Sequence, residues 1–397
     1  MKCVLISFFN SHNIGDCLIA DILYKKLSSR YITEKLSYSG NPNIITNIND
    51  LKKTNSPLKN DGISSLIHRF VKKYPFSGIL SLYRKFKQKY VILKSLEKKI
   101  WKSDVLVIGG GNMIFDTSKN SNSAFRFSEY TSIAKKHGKK VFVISIGIGP
   151  FVTIEQEKNA IQALEKCDYI TFRDKRSLGI YTQHSNKTNN VFLSVDPVFS
   201  LPYSLKKDKL ERIVIGLNVF DSRQIGDDLS KYKRIIDGYA RLANLLSAGL
   251  SAKIVLFSTD MTDYDAVCDV YKSLQKESNV EIAEINGLEE LLKLYDKLSI
   301  LIGTRMHSMI IALSQIIPVV GLSWQPKVDA LFEIFDLKDR VFKYDKLNDF
   351  ANVIVSKCSK ILEDLELEQD QIYERLELIN KIGEIDMRIL EKIEKEI

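Results

Sequence analysis

Cysteine is scarce and scattered. The five thiols, Cys3, Cys17, Cys167, Cys268 and Cys358, include no Cys-x-x-Cys pair. An odd, dispersed set of this kind argues for reduced thiols in a cytoplasmic protein and against a metal cluster. No grouping of His, Cys and carboxylates has the spacing of a metal centre, so no metal is expected. Long apolar runs are missing as well: none reaches the roughly 18 residues needed to cross a bilayer. The start, Met1-Lys2-Cys3-Val4-Leu5-Ile6-Ser7, turns polar too soon for a secretory leader and reads as a first strand. There is no internal repeat and no low-complexity tract. No nucleic-acid-binding module is recognisable, so nucleic acid is not an expected partner.

What is present is an ordinary globular mixture. The 397 residues are 45% apolar and 27% charged, enough for two domains. The net charge of +9 is unevenly placed. Residues 59–102 hold twelve Lys or Arg against two acids, and residues 360–397 hold six against twelve. In the basic segment Ile63, Leu66, Ile67, Phe70 and Val71, then Ile79, Leu80, Leu82, Tyr83 and Phe86, recur at helical spacing with lysines between them. Two readings stand side by side. One is a basic amphipathic helix lying on an anionic membrane face, which would make the chain peripheral at the inner face of the plasma membrane. The other is a helical insertion packed on the body with its lysines solvated.

Short apolar strands alternate with helical stretches, the pattern of a parallel sheet covered by helices. Strands are predicted at 2–8, 105–108, 141–146, 169–173 and 191–195, then at 213–217, 252–258, 280–283, 300–303 and 319–322. A polar, proline-bearing break near Leu201 to Asp208 separates the halves. The expected fold is α/β, with two doubly wound Rossmann-like domains facing a cleft. They cover 1–205 and 206–345, followed by a helical extension over 346–397 that either crosses back onto the first domain or joins a partner, a homo-oligomer included.

Ligands in such sheets sit at the carboxyl ends of the strands, and the chemistry-bearing residues fall there. In Leu301-Ile302-Gly303-Thr304-Arg305-Met306-His307, Thr304 is placed as a helix N-cap with Arg305 and His307 on the first turn. A helix start favours an anion, and an arginine fork beside an imidazole suits a phosphate or carboxylate with a proton to move. The bland alternative is a helix start with both side chains merely solvated. Asn13-Ile14-Gly15-Asp16 follows the first strand, without the Gly-x-Gly-x-x-Gly spacing of a dinucleotide site. Gly109-Gly110-Gly111-Asn112 is expected to expose successive amides to a phosphate or sugar, with no Gly-Lys-Ser/Thr ending that would make it an NTP loop. Gly147-Ile148-Gly149-Pro150 ends another strand. Arg173 is a second clamp for an anion or a structural pair. Asp196 binds a sugar hydroxyl or fixes a turn, and Trp324 with Lys327 offers an aromatic face beside a cation, or a plain surface helix start. His12 adjoins the first turn, whereas His68, His137 and His184 read as exposed or packing residues.

Taken in order, these fragments resemble the polysaccharide pyruvyl transferase family. The matching pieces are Asn13 to Asp16, Gly109 to Gly111, Gly147 to Pro150, Arg173-Asp174 with Ser177, Asp196 to Phe199, Arg305-Met306-His307, and Pro318 through Lys327. The basic segment and the acidic tail lie outside the resemblance, Trp324 stands where the family pattern has a tyrosine, and Thr171 where a serine is commoner. The resemblance implies a fold like the B-type glycosyltransferases and phosphoenolpyruvate as co-substrate, with no cofactor. The acceptor would be a saccharide of a cell-surface polymer or its polyprenyl-diphosphate-linked precursor, and the product a pyruvate ketal plus phosphate. By motif position Arg305, His307 and Arg173 would hold the donor, with Lys327, Gly110 and Gly111 in support. His307 would carry a proton, Asp16 or Asp196 would take the hydroxyl proton, and Asn13, Asn112, Asp196 and Trp324 would face the acceptor. Two rivals remain: a glycosyltransferase of similar shape using a nucleotide sugar, and a silent partner in a polymer-assembly complex.

Overall fold

The computed structural model describes residues 1–11, 13–38, 93–94, 96–203, 212–275 and 278–397. His12, His68, most of the basic segment and residues 204–211 of the expected break lie outside the described residues.

Among the described residues there are two six-stranded parallel sheets. The first has the order β2-β1-β3-β4-β5-β6, from β1 (Lys2–Ser7), β2 (Ile32–Ser37), β3 (Val105–Ile114), β4 (Lys140–Ile148), β5 (Tyr169–Phe172) and β6 (Val191–Leu193). The second has the order β12-β11-β10-β7-β8-β9, from β7 (Val214–Asn218), β8 (Lys253–Phe257), β9 (Val280–Ile282), β10 (Ile300–Gly303), β11 (Val319–Ser323) and β12 (Val341–Lys343). In the second sheet the order reverses between β7 and β10, which puts a ligand crevice outside the carboxyl ends of those two strands.

Central strands are continuous apolar runs because both faces are covered. Ile300, Leu301 and Ile302 are fully buried, each worth about 1.5–3 kcal/mol relative to exposure. Helices start on side-chain caps: Asn122 before α2 (Ser123–Lys136), Thr153 with Gln156 in a capping box before α3 (Ile154–Leu164), Asp174 before α4 (Lys175–His184) and Asp228 before α5 (Leu229–Gly249). Further along come α6 (Tyr264–Lys272), α7 (Leu288–Tyr295), α8 (Met306–Ser314) and α9 (Pro326–Ile334). The chain ends in α10 (Leu347–Glu363), α11 (Leu365–Gly383) and α12 (Ile385–Glu396).

The division into compact units differs from the expected one. One unit comprises 1–10, 23–194 and 385–397, the other 11–22 and 195–384, so α1 (Ile14–Ser28) changes units along its length. The helical tail is divided between the units: α10 and α11 belong to the second unit and α12 to the first. The reason is packing. Leu347, Ala351, Ile354 and Cys358 of α10 join the core of the second sheet, while Leu390 and Ile393 of α12 are buried in the first unit. Leu96 and Ile100, at the described end of the basic segment, pack into the core of the first sheet.

Candidate functional site

The second unit gathers its chemistry at the head of α8. Gly303 ends β10 bare because a Cβ there would lie 2.4 Å from Met309 Cγ. The hydroxyl of Thr304 bonds the Asn218 carbonyl at 3.1 Å and the Tyr239 hydroxyl at 2.7 Å. It is therefore unavailable to the helix amides, and Arg305, not Thr304, is the N-cap residue, in extended conformation. The Arg305 amide is fixed by Asn218 Oδ1 at 3.0 Å. Asn218 thus ties the end of β7 to the start of α8.

Neither side chain is merely solvated. The Arg305 guanidinium donates from Nε to Asp263 Oδ2 at 2.8 Å and from Nη2 to Asp263 Oδ1 at 3.0 Å and Gln224 Oε1 at 2.8 Å. Asp260 lies 3.7 Å from Nη2, and the Phe220 ring lies 4.7 Å from the guanidinium carbon. Asp263 is wholly buried; burial pushes its carboxyl above the ordinary range and the Arg305 guanidinium opposes that. One edge of the arginine fork is therefore committed to the protein. Nη1 has no partner among the described residues.

His307 is 9% exposed and stands between two carboxylates. Nδ1 is 3.8 Å from Asp16 Oδ1, and Nε2 is 3.6 Å from Asp196 Oδ2. Both acids are held locally. Asp196 caps the short helix Pro197–Ser200 through Oδ1, which accepts from the Val198 amide at 3.1 Å. Asp16 sits in the first turn of α1 and accepts from Ser11 Oγ at 3.3 Å. The start of α1 is docked on the loop after β8: Ile14 N donates to Thr259 O at 3.0 Å and Asn13 Nδ2 to Asp260 Oδ2 at 3.3 Å. Gly15 and Asp16 are thus helical, within the first turn of α1. Gly15 touches the imidazole itself, since a Cβ there would meet His307 at 2.2–2.4 Å.

The remaining predicted residues fall in place as follows. Asn13 is spent on structure: its Oδ1 accepts the Gly15 amide at 2.9 Å and its Nδ2 holds Asp260. Trp324 stacks on Phe220, ring centroids 4.7 Å apart at 13°, so one indole face is covered by protein. Lys327 is half-buried near the start of α9. In the first unit, β3 runs on through Gly109, Gly110 and Gly111 to Ile114, so these glycines are buried in a strand paired with β4 and not in an exposed loop. Gly110 and Gly111 have φ near +77° and +79°, and a Cβ on Gly109 would lie 2.2 Å from the Ile144 carbonyl oxygen, which explains why all three are glycine. Asn112 donates to the Gly149 carbonyl at 2.7 Å, while its buried Oδ1 has no hydrogen-bond partner among the described residues. Arg173, at the end of β5, is 8% exposed and lies across Gly147, whose added Cβ would be 3.1 Å from its Nε.

The sequence reading missed Asn218, Gln224, Asp260 and Asp263. The usable signal was Asp260-Met261-Thr262-Asp263 directly after β8, a carboxylate pair at a strand's carboxyl end. Among the described residues no three His, Cys, Asp or Glu side chains are grouped to hold a metal ion. No described helix is long and apolar enough to cross a membrane.

Comparison with known proteins agrees with the motif order. The family model for polysaccharide pyruvyl transferase matches residues 13–326. No curated protein sequence matches the chain. Among solved structures, UDP-GlcNAc 2-epimerase from Neisseria meningitidis bound to UDP-GlcNAc is similar over 100% of both chains, at TM-score 0.54 and 12% identity. The UDP-GlcNAc 2-epimerase from Methanocaldococcus jannaschii is similar over 89% of this chain and 92% of its own, at TM-score 0.53 and 13% identity. At such identity the likeness concerns the fold alone, that of two parallel-sheet α/β domains of the B-type glycosyltransferase kind with a helical tail.

Proposed function

We propose that this chain, which belongs to the polysaccharide pyruvyl transferase family, transfers the pyruvyl group of phosphoenolpyruvate to two hydroxyls of a saccharide, forming a ketal and releasing phosphate. The observation that carries this reading is His307, buried at the head of α8 with a carboxylate facing each ring nitrogen.

The reaction needs a group that gives a proton and another that takes one. Protonation of C3 of the enol develops positive charge at C2, and a sugar hydroxyl adds there and loses its proton. The C2–O bond to phosphate then breaks, and a second hydroxyl closes the ketal, losing its own proton. Two hydroxyls and one enol phosphate give one ketal and one phosphate. In this reading protonated His307 delivers the proton to C3, with Asp16 and Asp196 standing beside its two ring nitrogens. Asp16, the more exposed of the two acids, is the base for the first hydroxyl; Asp196, almost wholly buried, orients the ring. Arg305 reaches the donor through Nη1, its other edge fixed in advance by Asp263 and Gln224. In the same reading Arg173 is a further contact for a donor anion. A lipid-linked saccharide as acceptor and peripheral attachment at the membrane belong to the same reading.

Incubation with phosphoenolpyruvate and a set of lipid-linked oligosaccharides tests it. Acceptor-dependent phosphate release with a new ketal methyl signal by NMR supports it. Turnover of a nucleotide sugar to nucleoside diphosphate, with phosphoenolpyruvate untouched, replaces it with glycosyl transfer.

A further inference from the structure

The C-terminal helix α12 carries a buried carboxylate into the first sheet. Asp386, 8% exposed, accepts from Ser145 Oγ at 2.6 Å, Thr171 Oγ1 at 2.6 Å and Ser194 Oγ at 2.8 Å. These hydroxyls come from β4, from β5 and from the residue after β6. One carboxylate therefore links three neighbouring strands near their carboxyl ends.

The linkage falls where the sheet is irregular. Ser145 has φ +48°, unusual for a residue other than glycine, and the β4–β5 register shifts between Val143 and Ile146. The Ser145 amide, withdrawn from the ladder, donates to Thr171 Oγ1 at 2.7 Å, and that same hydroxyl donates to Asp386. A conformation of this kind persists when its surroundings over-determine it. Two residues further along the same strands stand Gly147 and Arg173, the guanidinium lying over the glycine. The Arg173 amide closes the bulge by donating to the Ile146 carbonyl at 3.0 Å. The rest of α12 is pinned to the same unit through Arg30 with Glu391, and through Lys140 and Tyr169 with Glu396.

We propose that Asp386 is a positioning residue for Arg173: from the tail helix it fixes the β4 bulge and the end of β5, and so sets where the Arg173 guanidinium meets the donor anion. It lies beyond residue 326, where the family match ends, so the family motifs do not contain it. The inference rests on the reading of Arg173 as a donor contact.

The test is calorimetric titration of phosphoenolpyruvate alone into the full chain, with unliganded thermal melting in parallel. Asp386→Asn and Thr171→Val are each expected to raise the Kd tenfold or more at unchanged stoichiometry, while Thr171→Ser, which keeps the hydroxyl, stays within twofold of the parent. A tether that served only stability would lower Tm or the binding-competent fraction and leave Kd alone; that result overturns the inference. Thr171→Val decides the matter where Asp386→Asn does not fold. Arg173→Lys run alongside separates the two ideas. A raised Kd in Arg173→Lys with an unchanged Kd in Asp386→Asn and Thr171→Val removes Asp386 and keeps the donor contact. An unchanged Kd in Arg173→Lys, or no binding by the parent protein, removes both.

Discussion

Gly15 lies flat against His307: a methyl group at Gly15 would sit 2.2 Å from His307 Cβ and 2.4 Å from Nδ1. The imidazole is thus seated on the bare backbone of α1, one residue before Asp16. Gly15→Ala is expected to push the ring off Asp16 and Asp196 and lower turnover by roughly 10- to 100-fold, since a displacement of about 1 Å is enough for such losses. The measurement is kcat for phosphate release beside a Tm. Turnover within twofold of the parent would show that the ring position does not matter.

Arg305 and Asp263 form a pair that each needs. Removing one partner of a buried pair costs about 3–5 kcal/mol, because the other is left uncompensated. Arg305→Ala and Asp263→Ala are therefore each expected to destabilise strongly in urea titrations, and the double variant by clearly less than the sum of the two. Additive losses would mean that the pair carries no coupling.

The pH dependence of stability carries the mark of Asp386. Burial raises its carboxyl above the ordinary range, opposed by hydrogen bonds from Ser145, Thr171 and Ser194 and by the Lys26 charge. A carboxyl raised in the folded state holds its proton longer than in the unfolded chain, so its contribution falls as pH rises from the unfolded pKa to the folded one, and is flat above. Unfolding free energies of the parent and Asp386→Asn, measured side by side, are expected to show the parent losing ground to the variant as pH climbs from about 4. Parallel curves would contradict it.

Thiol chemistry gives an independent check of packing. Burial pushes the Cys3, Cys17 and Cys358 thiols up to about 12. The thiolate is the reactive form, so these three are expected to react slowly with a disulfide reagent at pH 8 in the native protein, and all five cysteines rapidly after denaturation. Five fast equivalents in the native state would refute the placement.

The central strands were readable because strands buried on both faces are near-continuous apolar runs, as in Ile300–Gly303 and Val319–Ser323. The strands missed were edges. β2, Ile-Thr-Glu-Lys-Leu-Ser, mixes charge into a strand that pairs on one side, and β12 has three residues. Helix α4, Lys-Arg-Ser-Leu-Gly-Ile-Tyr-Thr-Gln-His, buries only Ser177 and Tyr181 and shows no apolar stripe. His307, Asp16 and Asp196 stood out singly, each at an element's end, but their meeting depends on α1 docking against the loop after β8, a contact between distant segments that no local pattern encodes. Arg305 looked like a free clamp because its partner Asp263 is far away in sequence, and Asp386 was hidden among the acids of a helical tail read as crossing back onto the first domain or joining a partner, with no local pattern to single it out.

The central claim is that His307 delivers the proton that turns the enol into a methyl group. Phosphate release from phosphoenolpyruvate with a lipid-linked acceptor, run in deuterium oxide for the parent protein and His307→Ala, tests it most directly. The account predicts one deuterium in the ketal methyl of the parent's product and a turnover about 10²- to 10⁴-fold lower in the variant. Turnover in His307→Ala within threefold of the parent, with the same deuterium incorporation, would contradict it.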